Sequence, residues 1–162
     1  MIAGIIRDEL GGGLTDALRM TRTVQIYSYR EASRASMVAN QDVLEGWVWH
    51  AHFDDRVCMS CVVMHGSIHP IGETLNDHHN GRCVAMPLVI GFENPITQSG
   101  AEWFQGQSEA TQRALMGPGK FKAWREGRIS LEQLTYERED DVYGLMRGEP
   151  SLRSLLEAVA PS

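Results

Sequence analysis

The sequence predicts an α+β fold with a long N-terminal helix, a small antiparallel sheet that carries a Cys/His cluster, and a C-terminal tail of short helices. An amphipathic repeat runs through residues 14–41, and residues 47–53 then alternate with a period of two. From residue 95 onward, capping and stop signals follow one another closely, which is typical of short helices. The 162 residues, 43% of them hydrophobic, are enough for one packed core without disulfides.

The first element is a helix that follows the flexible glycine run at residues 11–13. Its apolar positions recur mostly at steps of three and four residues, which places them on one face. These positions are Ala17, Met20, Val24, Tyr27, Ala35 and Val38. We expect this stripe to face the core and the helix to end at Gly46.

The stretch WVWHAHF at residues 47–53 predicts a half-buried strand, because its bulky apolar residues alternate with histidines and a valine. The predicted inner face consists of Trp47, Trp49, Ala51 and Phe53. Val48, His50 and His52 form the other face. A second strand is predicted at residues 83–90, where Pro87 favours a position at the edge of the sheet.

The C-terminal half is predicted to be helical in short pieces. Two capping boxes and two glycine stops mark the helix ends. They are Ser99 with Glu102, Ser130 with Gln133, Gly117 before Pro118, and Gly127. Residues 151–158 read as a last short helix. We expect residues 14–92 to form the core, residues 93–162 a helical tail packed on the same domain, and residues 1–13 a flexible segment.

Composition narrows the classes of protein that fit. The formal charge of −6 argues against nucleic-acid binding through the net field, although a local basic patch is compatible with it. No stretch approaches the roughly 20 apolar residues of a membrane helix, and the N-terminus lacks the basic region of a signal peptide. Three cysteines cannot all pair in one chain, so we expect a soluble protein in a reducing compartment, with no membrane partner.

The three cysteines predict a zinc-knuckle-like site. Cys58 and Cys61 have the Cys-x-x-Cys spacing of a zinc knuckle, and "DHHNGRC" brings histidines and Cys83 back after a loop. Adjacent His78 and His79 cannot both point inward easily. The sequence predicts one zinc ion bound by Cys58, Cys61, His78 and Cys83, with His79 as the alternative ligand. Four protein ligands leave no position for water, so this zinc would be structural. Buried free thiols are the alternative interpretation.

Two further sets of residues could form binding sites. His65 and His69 are four residues apart, but Gly66 and Pro70 disfavour a helix there, so surface loop positions are expected. In the segment at residues 120–128, basic residues flank two aromatic residues, and these basic residues could contact nucleic acid. They are Lys120, Lys122, Arg125 and Arg128. An amphipathic helix with its aromatic side in the core is the favoured interpretation.

The residues around the cysteines form a longer motif. Its members, in chain order, are Trp49, Asp54, Arg56, Cys58, Cys61, Gly66, His78, Arg82 and Cys83. This run resembles the phage Mu F-like minor head protein family, also called phage head morphogenesis proteins. Stretches before and after it are similar to the same family, so the resemblance covers about residues 15–135. Val24, His79 and Gly81 depart from the family pattern, in which an acid, a proline and a cysteine are usual.

The resemblance implies a non-enzymatic protein that acts in head morphogenesis. Such a protein is expected to contact capsid or portal proteins, with possible DNA contact, and to have no small-molecule substrate. It would be made in the bacterial cytoplasm and then reside inside the virion head. The chain is short for the family, which fits a compact member, a split gene product or a C-terminal domain.

An HNH-like metal-dependent nuclease and a small DNA-binding zinc module are the alternatives to this function. The "DHHN" stretch after a Cys-x-x-Cys pair resembles zinc-stabilised HNH nucleases. However, no cysteine or histidine follows Cys83, so the set of residues that would activate a nucleophile is incomplete.

Overall fold

A computed structural model describes residues 13–159 of the chain. The predicted flexible segment at residues 1–13 lies, apart from Gly13, outside these described residues. The fold mixes helices with small antiparallel sheets and begins with a long helix, as predicted. The helices are α1 (Leu14–Ala39), α2 (Met59–Met64), α3 (Gly100–Gln105), α4 (Glu109–Met116), α5 (Pro118–Arg125) and α6 (Leu152–Val159). The strands are β1 (Leu44–His50), β2 (Ile68–His69), β3 (Val84–Val89), β4 (Tyr136–Asp140) and β5 (Gly144–Gly148).

Helix α1 ends at Ala39, seven residues before the predicted stop at Gly46. Gly46 instead lies inside β1, where it pairs with Leu88 of β3. A side chain at Gly46 would place its Cβ only 2.5 Å from the carbonyl oxygen of His69. The glycine is therefore required by the close approach of two strands rather than by a helix end.

The predicted inward stripe of α1 is wrong for most of its length. Among its members, Met20 and Val24 are each 47% exposed, whereas Ala17 is buried. The side chains that α1 buries farther along are Thr23, Arg30 and Met37, which are spaced seven residues apart. Polar contacts set this rotation, because Thr23 and Arg30 bind the loop that contains His78 and Cys83. The apolar stripe consequently lies beside the buried face.

The main sheet has three antiparallel strands in the order β2-β1-β3. Strand β3 is an edge strand, as Pro87 predicted. Central strand β1 is more buried than predicted, since Val48 on its supposed outer face is as inaccessible as Trp47. A strand with a neighbour on each side and both faces covered has no wet side. His52, past the end of β1, is exposed as expected.

The short helices after residue 99 follow the predicted signals. Ser99 and Glu102 form a complete capping box at the start of α3. Gly117 separates α4 from α5 with a φ of +79°, a left-handed conformation that favours glycine. At Ser130 the backbone N–H donates to the Gln133 side chain, but only a short 3-10 turn (Glu132–Leu134) follows.

The prediction of a wholly helical tail is wrong between residues 136 and 148. Strands β4 and β5 pair there as a two-stranded antiparallel hairpin. Four of the five β4 residues are charged, so the strand lacks the alternation of apolar and polar residues that reveals most strands. The hairpin contacts the loop before His78, where the Arg147 backbone N–H donates to the Asn76 carbonyl.

One hydrophobic cluster joins the sheet to the C-terminal helices. Its members that are fully buried or nearly so include Trp47, Trp49, Met59, Phe104, Phe121, Leu134 and Leu155. Helices α2 and α3 meet most closely at Gly100, where a Cβ would overlap the carbonyl oxygen of Val62. Within residues 13–159, no helix combines the length and apolar character needed to cross a lipid bilayer.

Candidate metal centre

The first two cysteines meet at the start of α2. Cys58 is the N-cap residue of this helix, and its Sγ accepts a hydrogen bond of 3.4 Å from the Cys61 backbone N–H. A helical first turn brings residues three apart onto one side. The Cys-x-x-Cys spacing thus places two thiols next to each other, as a metal knuckle requires.

The His78 ring completes a three-residue group with these thiols. Its Nε2 lies 3.2 Å from the Cys58 Sγ and 3.3 Å from the Cys61 Sγ. Around a tetrahedral zinc ion, sulfur and nitrogen ligands stand about 3.5 Å apart, given bond lengths of about 2.3 and 2.0 Å. All three ligand atoms lie within 4.8 Å of one another. The geometry therefore suits a shared ion.

Cys83 joins the cluster from the far side of the loop. Cys61, Cys83 and Asp77 form a second group whose ligand atoms lie within 4.8 Å of one another. Cys61 belongs to both groups, so its Sγ lies within 4.8 Å of the ligand atoms of Cys58, His78 and Cys83. Cys58, Cys61, His78 and Cys83 together form a Cys/His cluster that could hold a metal ion.

The two adjacent histidines have different surroundings. His78 faces the thiols, and its Nδ1 lies 2.8 Å from the His79 carbonyl oxygen. This contact fixes Nδ1 as the donor, so Nε2 stays available for a metal. The His79 ring instead lies against the β4–β5 hairpin, with Nε2 3.2 Å from Asp140 and the ring edge on Tyr143.

A buried ion pair supports the cluster, and sequence reasoning missed it. The Arg30 guanidinium donates to Asp77 Oδ2 at 2.9 Å and to the Cys83 carbonyl at 2.8 Å. Asp77 also accepts the backbone N–H groups of His78 and Cys83. Side-chain exposure is 7% for Arg30 and 1% for Asp77. Helix α1 is thus attached directly to the loop that supplies the last two predicted ligands.

The close packing of this loop depends on Gly81. A Cβ at this position would overlap the Asp77 Oδ2 atom. Next to it, Asn80 adopts a left-handed φ of +57°, and its N–H donates to the Thr23 hydroxyl of α1. The Asn-Gly turn therefore brings the loop against α1 as well as reversing the chain.

Neighbouring charges strongly alter the acid–base properties of the cluster. Hydrogen bonding to Cys61, followed by that to His78, lowers the pKa of the Cys58 thiol to about 5. The hydrogen bond with Cys58 raises the pKa of His78 to about 10. Burial disfavours the charge of Asp77, but His78 and Arg30 outweigh it, so the pKa of Asp77 is lowered. The metal-free cluster therefore holds a thiolate beside an imidazolium at neutral pH.

We expect metal-free protein to show one thiolate that forms at unusually low pH. The Cys58 pKa is depressed from 9.0, so its contribution to stability is present above pH 9 and is lost as pH falls through about 5. The raised pKa of His78 acts oppositely, and its contribution is lost as pH rises through about 10. Ultraviolet thiolate absorbance should rise with a midpoint near pH 5. Cys58→Ser should remove this step, and an unchanged titration would contradict the assignment.

A second ion pair joins the two cysteine loops. Both Arg82 Nη atoms lie 2.7 Å from the carboxylate oxygens of Asp54, which is the bidentate geometry of a strong pair. Asp54 also accepts the Arg56 backbone N–H at 3.0 Å and contacts the Arg56 side chain. The hydrogen bond from Arg82 lowers the pKa of Asp54 well below its usual range. These motif residues thus connect residues 54–56 with residue 82, next to Cys83.

The remaining motif residues shape the turn after α2. Gly66 has a φ of +87°, and its N–H donates to the Trp49 carbonyl at 2.9 Å. Trp49 is 1% exposed and belongs to the hydrophobic cluster. Its indole Nε1 is buried without a hydrogen-bond partner in the described part of the chain. Gly66 and Trp49 therefore fix the position of β1 relative to the end of α2.

The prediction that His65 and His69 are surface loop residues is wrong. His65 is 8% exposed, and its Nδ1 accepts the Ala51 backbone N–H. The His69 ring stacks on Trp47 with 4.3 Å between ring centroids. Neither belongs to a metal-ligating group within residues 13–159. His65 is buried and His69 is partly buried. The Nδ1 of His65 and both ring nitrogens of His69 have partners in the protein, which the spacing of two histidines does not reveal.

The basic segment at residues 120–128 lies largely on α5, in agreement with the favoured interpretation. Phe121 is 7% exposed, and the Trp124 ring packs edge-on against Phe104. Lys120 is ion-paired with Glu149, while Lys122 and Arg128 both approach Glu126. Arg125 is exposed on the same helix. The aromatic residues serve the core, and nearby carboxylates offset several of the positive charges.

The ligand types of the Cys/His cluster indicate which metal it could hold. Three thiols and one imidazole form a soft ligand set, for which zinc is the usual divalent ion. The Asp77 carboxylate and the His79 carbonyl orient this set from outside, as supporting groups do in metal sites. Comparison of the chain with protein-family models, with curated proteins and with solved structures found no match.

Proposed function

We propose that the chain is a non-enzymatic minor head protein of a phage or prophage, and that it acts in capsid assembly near the portal. The observation that carries this proposal is the bidentate pair of Asp54 and Arg82. Both residues belong to the motif that resembles the head morphogenesis family, and in the fold they join the two cysteine loops. The motif thus describes one physical unit, which supports reading it as a family signature.

A structural zinc ion is part of the proposal. Three thiolates and His78 would fill a tetrahedral coordination sphere and leave no position for water or substrate. Zinc in small structural sites contributes about 10–16 kcal/mol at neutral pH, against about 5–15 kcal/mol for a whole domain. The ion would hold α2 and the second cysteine loop together, and Arg30 would extend this rigid unit to α1.

The test uses the phage or prophage that encodes the chain. Heads purified after induction should contain the protein at low copy number by quantitative mass spectrometry. Deletion of the gene should reduce the yield of DNA-filled heads, and expression of the wild-type chain from a plasmid should restore it. Complementation by Arg82→Gln, which breaks the pair with Asp54, should be weaker than by the control Arg138→Gln on the hairpin. Absence from heads, with a normal head yield after deletion, would overturn the proposal.

The nuclease alternative is tested with purified protein, plasmid DNA and Mg²⁺ or Mn²⁺. We expect no cleavage, because His79 is engaged with Asp140 and lies outside the thiol cluster. Cleavage that His79→Ala abolishes would replace the structural role by an enzymatic one.

A further inference from the structure

A basic groove lies beside the metal centre, between α1 and the second cysteine loop. Its volume is about 790 Å³, and it is open to solvent. The side chains that line it from α1 include Arg22, Gln25 and Tyr29. Arg56, Asn80 and Arg82 line it from the two cysteine loops. The groove thus collects guanidinium, amide and phenol groups from three separate parts of the chain.

The charge of the groove is opposite to that of the protein. The chain carries a net charge of −6, yet no carboxylate is among the described residues that line this groove. Asp54, which is paired with Arg56 and Arg82, offsets one of the three arginine charges. A divalent ion bound by three thiolates would offset one more. The groove therefore stays positive in a protein that is negative overall, which concentrates an anionic ligand at this place.

The side chains that line the groove also suit an extended anionic ligand that carries planar groups. Arg56 is 73% exposed and Arg22 is exposed, so both can turn toward a bound anion. Arg82 lines the groove in a position fixed by its bidentate pair with Asp54. Tyr29 is 59% exposed at the rim, where its ring can stack on a planar group. Basic side chains with an accessible aromatic ring are the usual features of a single-strand binding surface.

We propose that this groove binds single-stranded nucleic acid, with Arg22, Arg56 and Arg82 near the phosphates and Tyr29 stacked on a base. An acidic peptide would satisfy the charges but would not use the ring of Tyr29. The groove is distinct from the basic face of α5, and the inference goes beyond the proposed role in head assembly. It depends on neither the portal nor the capsid.

The binding test uses the full chain loaded with zinc and a fluorescently labelled oligothymidylate, followed by fluorescence anisotropy. Arg22→Gln with Arg56→Gln removes two positive charges from the groove. The matched control, Arg113→Gln with Arg153→Gln, removes two exposed charges from α4 and α6. We expect the groove variant to bind about tenfold more weakly at low salt, and the control less than about twofold. The slope of log affinity against log salt should fall by about 1.4 in the groove variant alone.

Further variants show whether the groove itself holds the oligonucleotide. Tyr29→Ala should weaken binding at least about fivefold if a base stacks there. Lys122→Gln on α5 should have little effect. If Arg56→Gln disturbs Asp54, Arg22→Gln alone tests the groove, since the ion-pair partners of Asp54 among the described residues are His52, Arg56 and Arg82. The proposal is overturned if wild-type protein shows no salt-dependent binding, if the groove variant matches its control, or if polyglutamate of equal charge competes as well as the oligonucleotide.

Discussion

Cys61→Ser is expected to abolish stoichiometric zinc binding and to lower the stability of the chain more than any other change considered. Cys61 belongs to both ligand groups, so its loss separates Cys83 from the Cys58–His78 pair. The contribution of structural zinc, about 10–16 kcal/mol in peptides, is comparable to the stability of an entire domain. Elemental analysis should give one zinc per wild-type chain and less than about a tenth of that for the variant. Thermal unfolding by circular dichroism should show a midpoint far below that of the zinc-loaded wild-type chain.

The matched control for this experiment is His79→Ala. It removes an imidazole next to the predicted ligand but leaves the thiols and His78 in place, because His79 contacts Asp140 instead. We expect it to retain zinc and to lose only about 1 kcal/mol or less of stability. A wild-type chain without zinc, or loss of zinc in His79→Ala but not in His78→Ala, would contradict the ligand set.

Arg30→Met is expected to destabilise the zinc-loaded chain by about 3–5 kcal/mol. The change leaves the carboxylate of Asp77 buried without its cation, and removal of one partner of a buried pair usually has this effect. It also removes two donors from the Cys83 carbonyl. Urea unfolding followed by tryptophan fluorescence measures the free energy of unfolding. The control Arg19→Met breaks a surface pair with Asp16 on the same helix and should cost less than about 1 kcal/mol.

A double-mutant cycle shows whether the loss at Arg30 comes through Asp77. Asp77→Asn alone should also destabilise the chain, since it leaves a buried guanidinium without its counter-charge. Combined with Arg30→Met, it should cost clearly less than the sum of the two single changes. Additive effects would mean that the two side chains act independently, and that the buried contact between them contributes little.

The existence of α1 follows from its sequence, but its rotation does not. A repeat of three and four residues locates an amphipathic helix, and α1 spans nearly the predicted range. Its orientation is fixed by Arg30, whose partners Asp77 and Cys83 lie 47 and 53 residues away in the chain. No local pattern in a single sequence encodes such pairs. The hydrophobic stripe therefore indicated the wrong face.

The candidate site was predictable where spacing alone determines geometry. Cys58 and Cys61 had to be neighbours because a helical turn joins them, and the Asn80-Gly81 turn returns the chain toward them. Asp77 was missed because an isolated acid next to a histidine is a common surface feature. Its importance arises from burial, which depends on packing by α1 and the hairpin. The hairpin itself was hidden by the charged residues of β4.

The lack of space around Gly81 makes the choice of residue at position 81 depend on the residue at position 77. The Asp77 carboxylate occupies the volume that any side chain at residue 81 would need. An acidic residue at position 77 and a residue with a side chain at position 81 are therefore mutually exclusive in this conformation. Natural variants of this loop should exchange both residues together, and a chain with only one exchange would have to find a different path for its backbone.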